Sequence, residues 1–572
     1  MGTEAIPWHI NTGYKKEKLN PRLCQGCLRS RSAQIGGGVE ADFVIIGGGS
    51  AGCVLANRLS ADPRNSVILI EAGGNGKSFL LSMPAGFGVT ANGPGHSWHY
   101  FGAAEPSIQG RKMLLPRGKG LGGSSNINGL LYVRGQQADY DSWSNLGAIG
   151  WGWADVAPYF RKSESYAGGG TELRGDAGPL RVEEVSHRNP TNDAIISAFA
   201  EIGVPRSDDY NGADQFGAFY YQTTMADGRR CSAADAFLRP AIKRPNLTVL
   251  TGAECRGIIV KDHRATGVEI ESARGLQTIT ARREVILSAG AYHSPKLLLL
   301  SGIGPAAHLQ DMGIPVVQNS PDVGRNLQDH YILTMSWRLR AGVYSYNQEL
   351  SGGRLLWNVL RYVARRDGAM TIPAAQVGAF LKSDAALDRP DIQFHCLPVT
   401  GDLDAAATGE KSALSPWPGL TLGPNVLRPE SRGHVRLNTP NPKDVPDIVH
   451  NWLDAPEDQR LSVRAMQIAR DLVRSPSLAP LVEYEAWPGA ACQTDDELVA
   501  YAKAYGNTGY HPVGTCRMGI DATAVVDPSL RVNGLKGLRV VDASVMPRLV
   551  SGNTNAPAIM IGEKGADLIL QG

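Results

Sequence analysis

Short, fully apolar runs alternate with amphipathic stretches along most of the chain. Residues 43–46 (Phe-Val-Ile-Ile) and 67–70 (Val-Ile-Leu-Ile) are too short for helices and show no polar alternation, which predicts strands buried on both faces. They bracket a helical stretch over 51–59, and strand, helix, strand in that order predicts a βαβ unit with parallel strands. Further on, 247–260 and 265–272 read as strands and a hairpin, and 284–287 as a buried strand entering a helix after Ser294-Pro295. Candidate strands at 392–397 and 434–437 alternate with long amphipathic helices such as 461–473. The chain closes on a buried strand, 538–541, and a helix, 556–570. Residues 80–150, rich in Gly, Pro, Trp and Tyr, read as an extended loop region. Residues 1–39 lack apolar periodicity, and their basic residues, Lys15, Lys16, Lys18, Arg22, Arg29 and Arg31, outnumber Glu4 and Glu17, which predicts a flexible extension.

Composition narrows the picture. With 42% hydrophobic and 20% charged residues in 572, a large core is expected and global disorder is not. A net charge of +2 gives no field for a polyanion, so no nucleic-acid partner is expected. No apolar run approaches the roughly 18 residues of a membrane span, and no secretory leader is apparent. The expected location is the cytoplasm, free or peripheral to a membrane. Cys24 and Cys27 form a lone CxxC without a second pair, so no metal site is expected. The unusual number is Gly 67, about 12% of 572 residues, against a typical roughly 7%.

The glycines cluster where a dinucleotide would need them. Gly47, Gly49 and Gly52 follow the first predicted strand and open the first helix. The spacing is G-x-G-x-x-G, in which the backbone turns tightly, approaches a pyrophosphate and packs close to the strand. Glu71 ends the next strand, 24 residues after Gly47, where an acid meets the ribose. A second cluster, Pro116-Arg-Gly-Lys-Gly-Leu-Gly-Gly-Ser-Ser125, suits a further contact along an extended cofactor. Fold physics alone leaves FAD and a nicotinamide dinucleotide both open.

Longer motifs resemble the glucose–methanol–choline (GMC) oxidoreductases. Gly118 through Asn128 and on to Asp141 is similar to that family's first signature, and Gly290 through Gly304 to its second. Val323–His330, Tyr510–Gly519, Val541–Pro547 and Gly552–Pro557 follow in family order. The resemblance implies FAD, with Ser50 and Ala51 at the pyrophosphate and Glu71 on the adenosine ribose. It implies Gly123, Asn128, Gly129 and Leu131 along the flavin, Cys255 at the adenine through its backbone, and Asp542 with Ala543 by the ribityl-diphosphate. Asn555 and Pro557 would edge the isoalloxazine. Ile127 occupies the position at which some relatives carry a histidine bonded to the flavin, so no histidyl link is expected.

It further implies that an alcohol is oxidised by hydride transfer to flavin N5, with His511 as base and Asn555 as the second catalytic residue. Imidazole suits the role because its unperturbed pKa, roughly 6.5, lies near working pH. Choline-oxidising relatives place a glutamate where this chain has Gln376, which favours a neutral primary alcohol. The expected acceptor is oxygen or a quinone, with the choice between them open, and the oligomeric state stays open. The alternative is a non-redox, FAD-containing hydroxynitrile-lyase-type enzyme on the same fold. The expected architecture is α/β (α+β), a Rossmann-like FAD-binding domain interleaved with a substrate domain containing an antiparallel sheet. The first takes residues 40–155, 226–315 and 520–572, and the second takes 156–225 and 316–519.

Overall fold

Two sheets organise the chain, and each draws its strands from alternating stretches of sequence. The computed structural model describes residues 39–93, 95–404 and 413–572; the extension expected over 1–39, with its Cys24–Cys27 pair, lies outside the described residues except for Val39. In the seven-stranded sheet the order is Leu247–Thr251, Val67–Glu71, Val39–Ile46, Gly275–Leu287, Arg264–Ser272, Glu254–Lys261, with Leu538–Val540 pairing Gly275–Leu287. Val39–Ile46 and Leu247–Thr251 both run parallel to Val67–Glu71, and Leu538–Val540 runs parallel to Gly275–Leu287. Glu254–Lys261, Arg264–Ser272 and Gly275–Leu287 form an antiparallel meander. The run 247–260 is therefore two strands, broken at 252–253, one in each half of this sheet.

The second sheet has eight strands, in the order Val482–Trp487, Met335–Leu339, Gly419–Val426, Ile392–Leu397, Val377–Leu381, Gly217–Tyr220, with Tyr331–Ile332 pairing Gly419–Val426 and Asn507–Thr508 pairing Tyr331–Ile332. Its pairings are antiparallel. Phe394, Leu420, Leu422 and Met335 sit in an extensive buried cluster with Met466 and Leu472 of helix Pro456–Val473. The fold is thus the expected α/β arrangement with an antiparallel second sheet, the βαβ unit legible in the pattern and the second sheet implied by the family resemblance.

Helices start where the parallel strands stop. Ser50–Leu59 begins after Ile46-Gly47, and a Cβ on Gly52 would lie 1.9 Å from the Gly47 carbonyl oxygen, so only glycine lets the helix approach the strand end. It packs along the C-terminal helix Asn555–Gln571, which starts one residue before the predicted helix. The helix expected after Ser294-Pro295 starts earlier, at Gly290. Proline cannot donate to the carbonyl four residues back, and the Thr515 hydroxyl donates to that freed Ala291 oxygen at 2.7 Å. The stretch 80–150 is more regular than its composition suggests, holding the hairpin Ser97–Phe101/Leu114–Gly118 and the helix Gln137–Asn145. Among the described residues no helix is long and apolar enough to cross a membrane.

Candidate active site

Ligands of open α/β sheets bind beyond the carboxyl ends of the strands, and there a cavity of about 700 Å³ opens. Gly47, Glu71, Ser288 and Asp542 line it just at or beyond the ends of four strands of the first sheet. Ile332, His395 and Thr421 line it from the second sheet. Of the residues expected at the site, Gly47, Gly49, Ser50, Ala51, Glu71, Gly123, Asn128, Gly129, Leu131, Cys255, His511, Asp542, Ala543 and Asn555 line this one cavity. Gly52 and Pro557 do not; the former packs against the Gly47 carbonyl and the latter is buried in the first turn of the C-terminal helix.

Glu71 is 7% exposed and its carboxylate accepts three backbone N–H groups, from Gly48 (2.9 Å), Gly73 (2.8 Å) and Gly120 (2.9 Å). It thereby ties both glycine clusters to the end of its strand. Burial pushes its pKa up, partly offset by those three donors. A carboxylate offers about four lone-pair sites, so one remains for a ligand hydroxyl. Asp542 is held likewise, by Gly290 N–H (2.9 Å), the Ser294 hydroxyl (2.6 Å) and Ser544 N–H (2.8 Å).

These residues fit FAD. Gly123 has φ +51° and an added Cβ would meet Gly49 Cα at 2.7 Å, so the two clusters leave no room for a side chain between them. Helices Ser50–Leu59 and Asn555–Gln571 both begin at the cavity, and neither has a side-chain cap or an acid in its first turn. Their free N–H groups and positive ends suit a diphosphate. Arg230, which no motif signalled, is buried against Asn128, donating to its Oδ1 (2.5 Å) and its carbonyl (2.9 Å) and to the Ser125 carbonyl (3.0 Å). Burial lowers its pKa to about 9.

At the other end of the cavity three consecutive residues assemble the chemistry. Gln328 accepts from Leu549 N–H (3.1 Å) and donates to the Pro547 carbonyl (3.1 Å), fixing the approach to residue 553. Asp329 accepts from His511 N–H (2.7 Å) and the Thr508 hydroxyl (2.5 Å), fixing the loop that carries His511. His330 reaches the ring itself, with its Nδ1 2.9 Å from His511 Nδ1 and its Nε2 2.9 Å from the Leu427 carbonyl.

Protonation follows by elimination. A carbonyl only accepts, so His330 Nε2 carries hydrogen and its Nδ1 is the lone pair of a neutral ring. His511 Nδ1 must then donate to it, which leaves His511 Nε2 bare. Burial keeps both rings neutral, taking His330 down to about 4 and His511 well below the ordinary imidazole value; nearby His330, His395 and Arg117 add to the latter shift.

The amide facing that nitrogen belongs to Asn553, whose Nδ2 lies 3.0 Å from His511 Nε2. Its Oδ1 accepts from Gln393 Nε2 at 3.2 Å, which sets the amide the right way round. Asn555, expected as the second catalytic residue, instead accepts the Ser50 hydroxyl at 2.8 Å and joins the two helix N-termini. The helix that begins at Asn555 turns its side chain toward the glycine loop, so the residue two positions earlier meets the imidazole. Gln393 and His395 share one face of strand Ile392–Leu397. His395 Nδ1 is a buried atom without a partner, and burial takes this ring down to about 4. Gln376 is not at the cavity. It is fully buried, accepting from Tyr346 (2.7 Å) and Asn192 (2.8 Å) and donating to the His187 carbonyl (2.7 Å). Gly509 lines the cavity, and an added Cβ there would lie 2.7 Å from His330 Cβ, so the loop closes tightly on His330 at this position.

Comparison with known proteins agrees with this architecture. The GMC oxidoreductase family matches residues 41–332 and again 429–562. Oxygen-dependent choline dehydrogenases of Brucella ovis and Rhizobium etli are 42% and 41% identical to this chain, covering 93% of it and 96% of their own lengths. Among solved structures, pyridoxine 4-oxidase from Mesorbium loti is similar at 32% identity and a TM-score of 0.83, covering 92% of this chain and 98% of its own. Formate oxidase of Aspergillus oryzae, from a study of its FAD modification, is similar at 28% identity and a TM-score of 0.87, covering 93% and 98%. With its paired glycine clusters, its cavity and these matches, the chain belongs to the GMC oxidoreductase family and is an FAD-dependent oxidoreductase.

Proposed function

We propose that the protein oxidises a neutral primary alcohol to its aldehyde, with His511 Nε2 receiving the hydroxyl proton. When bound, FAD supplies the two-electron acceptor for the hydride that leaves the carbinol carbon. A hydroxyl entering between His511 and Asn553 donates its hydrogen to Nε2, while its oxygen accepts the Asn553 amide hydrogen. As the proton moves to Nε2, Asn553 holds the developing alkoxide and the carbonyl forms as the C–H bond breaks. The observation that carries this reading is the chain Leu427 carbonyl, His330, His511, Asn553, which puts an unprotonated imidazole nitrogen at the cavity with the Asn553 amide donating to it, a contact that an entering hydroxyl would replace. The relatives named above are dehydrogenases and oxidases, which favours redox chemistry over the lyase alternative.

Charge supports a neutral substrate over choline. Among the described residues, the carboxylates lining the cavity are Glu71, Glu254 and Asp542, all from the first sheet or its strand ends, and none of them comes from the half that surrounds His511. Trp98 could face a quaternary ammonium, but Lys119 Nζ already lies 3.9 Å from its ring centroid. A fixed cation needs a carboxylate or a free aromatic face in place of its water.

The test is anaerobic mixing of the flavin-loaded enzyme with a panel of neutral primary alcohols and choline, followed at the flavin absorbance band. A neutral alcohol should bleach the flavin faster than choline, and the reverse order would refute the substrate assignment. His511→Ala should slow bleaching by about 100-fold or more with flavin retained. Asn553→Ala should slow it by about tenfold, the loss of one hydrogen bond of ~1.4 kcal/mol. Asn555→Ala should loosen the flavin instead, and equal kinetic losses at 553 and 555 would undo the distinction between them.

A further inference from the structure

Helix Gly352–Arg365 is amphipathic in the wrong sense for a globular protein. A surface helix ordinarily turns its apolar stripe inward. Here the buried residues are Asn358 and Tyr362, one turn apart, and Asn358 Nδ2 donates to the Glu349 carbonyl and carboxylate, each at 3.0 Å. The outward stripe is Leu356, Leu360 and Val363, 63%, 54% and 55% exposed, with Trp357 beside it at 65%.

The apolar surface does not end with the helix. Phe79, whose ring centroid is 6.0 Å from that of Tyr362, is 48% exposed, and Leu80 and Val89 are exposed with it. Met83, between them in sequence, shares a buried cluster with Tyr362.

Charge tells what the surface is for. Between residues 349 and 367 four arginines, Arg354, Arg361, Arg365 and Arg366, stand against two acids; Arg354 pairs with Glu349 at 3.2 Å and Arg361 with Asp367 at 2.6 Å, which leaves a net excess of two positive charges. Arg354 and Arg361 lie three residues before and four after Trp357, and therefore beside it on the helix surface. The order around the helix is then leucines, tryptophan, arginines, polar inner face. That gradation matches the passage from acyl chains through the headgroup layer, where Trp sits at the interface and arginines meet anionic lipid.

We propose that helix Gly352–Arg365, with Phe79, Leu80 and Val89, docks the enzyme on an anionic lipid bilayer, its leucines among the acyl chains and its arginines at the phosphates. Docking would bring the cavity to the membrane. Phe87, Gly88 and Ala91 line the cavity from the same short segment that displays Val89 outward, and Val399 both lines it and packs on the Tyr362 cluster. A lipophilic reactant would enter there without first crossing water. The surface stands independently of the alcohol assigned to the site.

The experiment is flotation of the flavin-loaded protein with vesicles of phosphatidylcholine alone or mixed with phosphatidylglycerol, at low and high salt. The protein should float with the mixed vesicles, with less recovered on phosphatidylcholine alone or at high salt. Leu356→Glu combined with Leu360→Glu should weaken vesicle binding at least tenfold, with flavin content and anaerobic reduction by a water-soluble alcohol unchanged. Arg361→Glu with Arg365→Glu should abolish the preference for phosphatidylglycerol. The proposal fails if the wild-type protein floats with neither vesicle, or if the double glutamate variant at 356 and 360 binds as well as wild type. It also fails if light scattering shows a dimer that this variant dissociates without any vesicle binding, which would assign the face to a second copy of the chain.

Discussion

The two ends of the cavity manage polarity in opposite ways. At the dinucleotide end Glu71 and Asp542 are carboxylates wrapped in backbone N–H groups, and two helix N-termini face the same space. At the His511 end the side chains beside the imidazole are neutral, the rings of His330 and His395 and the amide of Asn553, while the Arg117 guanidinium at the cavity wall disfavours its protonation. A fixed charge can be stabilised by many weak, local donors. A proton acceptor must keep one lone pair free, so its neighbours have to consume every other hydrogen-bonding site. The cofactor end is therefore redundant and the catalytic end is a chain in which each link determines the next.

If that contrast is right, the most severe loss comes from removing the one side chain on which the redundant end converges. Glu71→Ala strands three buried N–H groups, at about 1–3 kcal/mol each, and separates the glycine loop from the second cluster. The variant should lose at least about 100-fold in flavin affinity by this reckoning, and its flavin-to-protein absorbance ratio after purification should fall near zero. A variant as yellow as wild type would show that the clamp is dispensable. In the wild-type protein, denaturation should release all flavin into the supernatant, since Ile127 offers no nucleophile.

The same contrast explains what the sequence disclosed. Gly47, Gly52 and Gly123 are where backbone meets backbone, so steric need writes itself as a local pattern of glycines. Strand ends carry Glu71 and Asp542 for the same reason, and buried strands such as 43–46 announce themselves by composition alone. His511 and the segment 552–557 were also legible, as motifs. Which asparagine meets the imidazole was not, because 553 and 555 differ only in the direction each leaves the turn before the last helix. Nor was the role of His330, since its partner is 181 residues away and no periodicity links them. Arg230 was invisible for a similar reason, its contacts being to carbonyls and one amide of a loop some 100 residues earlier. The outward leucines of helix Gly352–Arg365 fit a helical period, but a period says nothing of which face the protein covers.

A smaller loss should follow from breaking the hydrogen-bond chain one link behind the proposed base. His330→Leu leaves His511 Nδ1–H without its acceptor, so the ring is free to adopt the other tautomer with hydrogen on Nε2. Flavin reduction should slow by about tenfold, ~1.4 kcal/mol in the barrier, while His330→Gln, whose side-chain carbonyl can accept from Nδ1–H, should recover much of it. The pH profile separates this from mere loosening. In the proposed role His511 must be unprotonated, and burial with His330 holds its pKa below the ordinary imidazole range. The acid limb of the wild-type reduction rate should therefore lie below about 6.5, and in His330→Leu it should move upward. An unmoved limb would reduce His330 to packing.

The smallest effect is on stability, and it tests whether neutrality is general to this end of the cavity. Burial takes His330 and His395 each down to about 4, while an unfolded imidazole titrates near roughly 6.5. Between those values the unfolded chain binds more protons than the folded one, so stability rises with pH there and is lost as pH falls below about 6.5. Each such ring contributes at most about 1.4 kcal/mol per pH unit across that window. Glu71 and Asp329, pushed up by burial, act with the opposite sign. Their folded forms hold protons at pH values where the unfolded carboxyls have lost them, so the total slope is a difference of opposing contributions. Subtraction isolates the imidazole. Urea midpoints of wild type and His395→Gln, compared from neutral pH down to about 4.5, should converge or cross as the pH falls, because only the wild type has that ring to charge. Parallel curves would mean that His395 is solvated or charged in the folded protein, and the contrast between the two ends would then stop at His511.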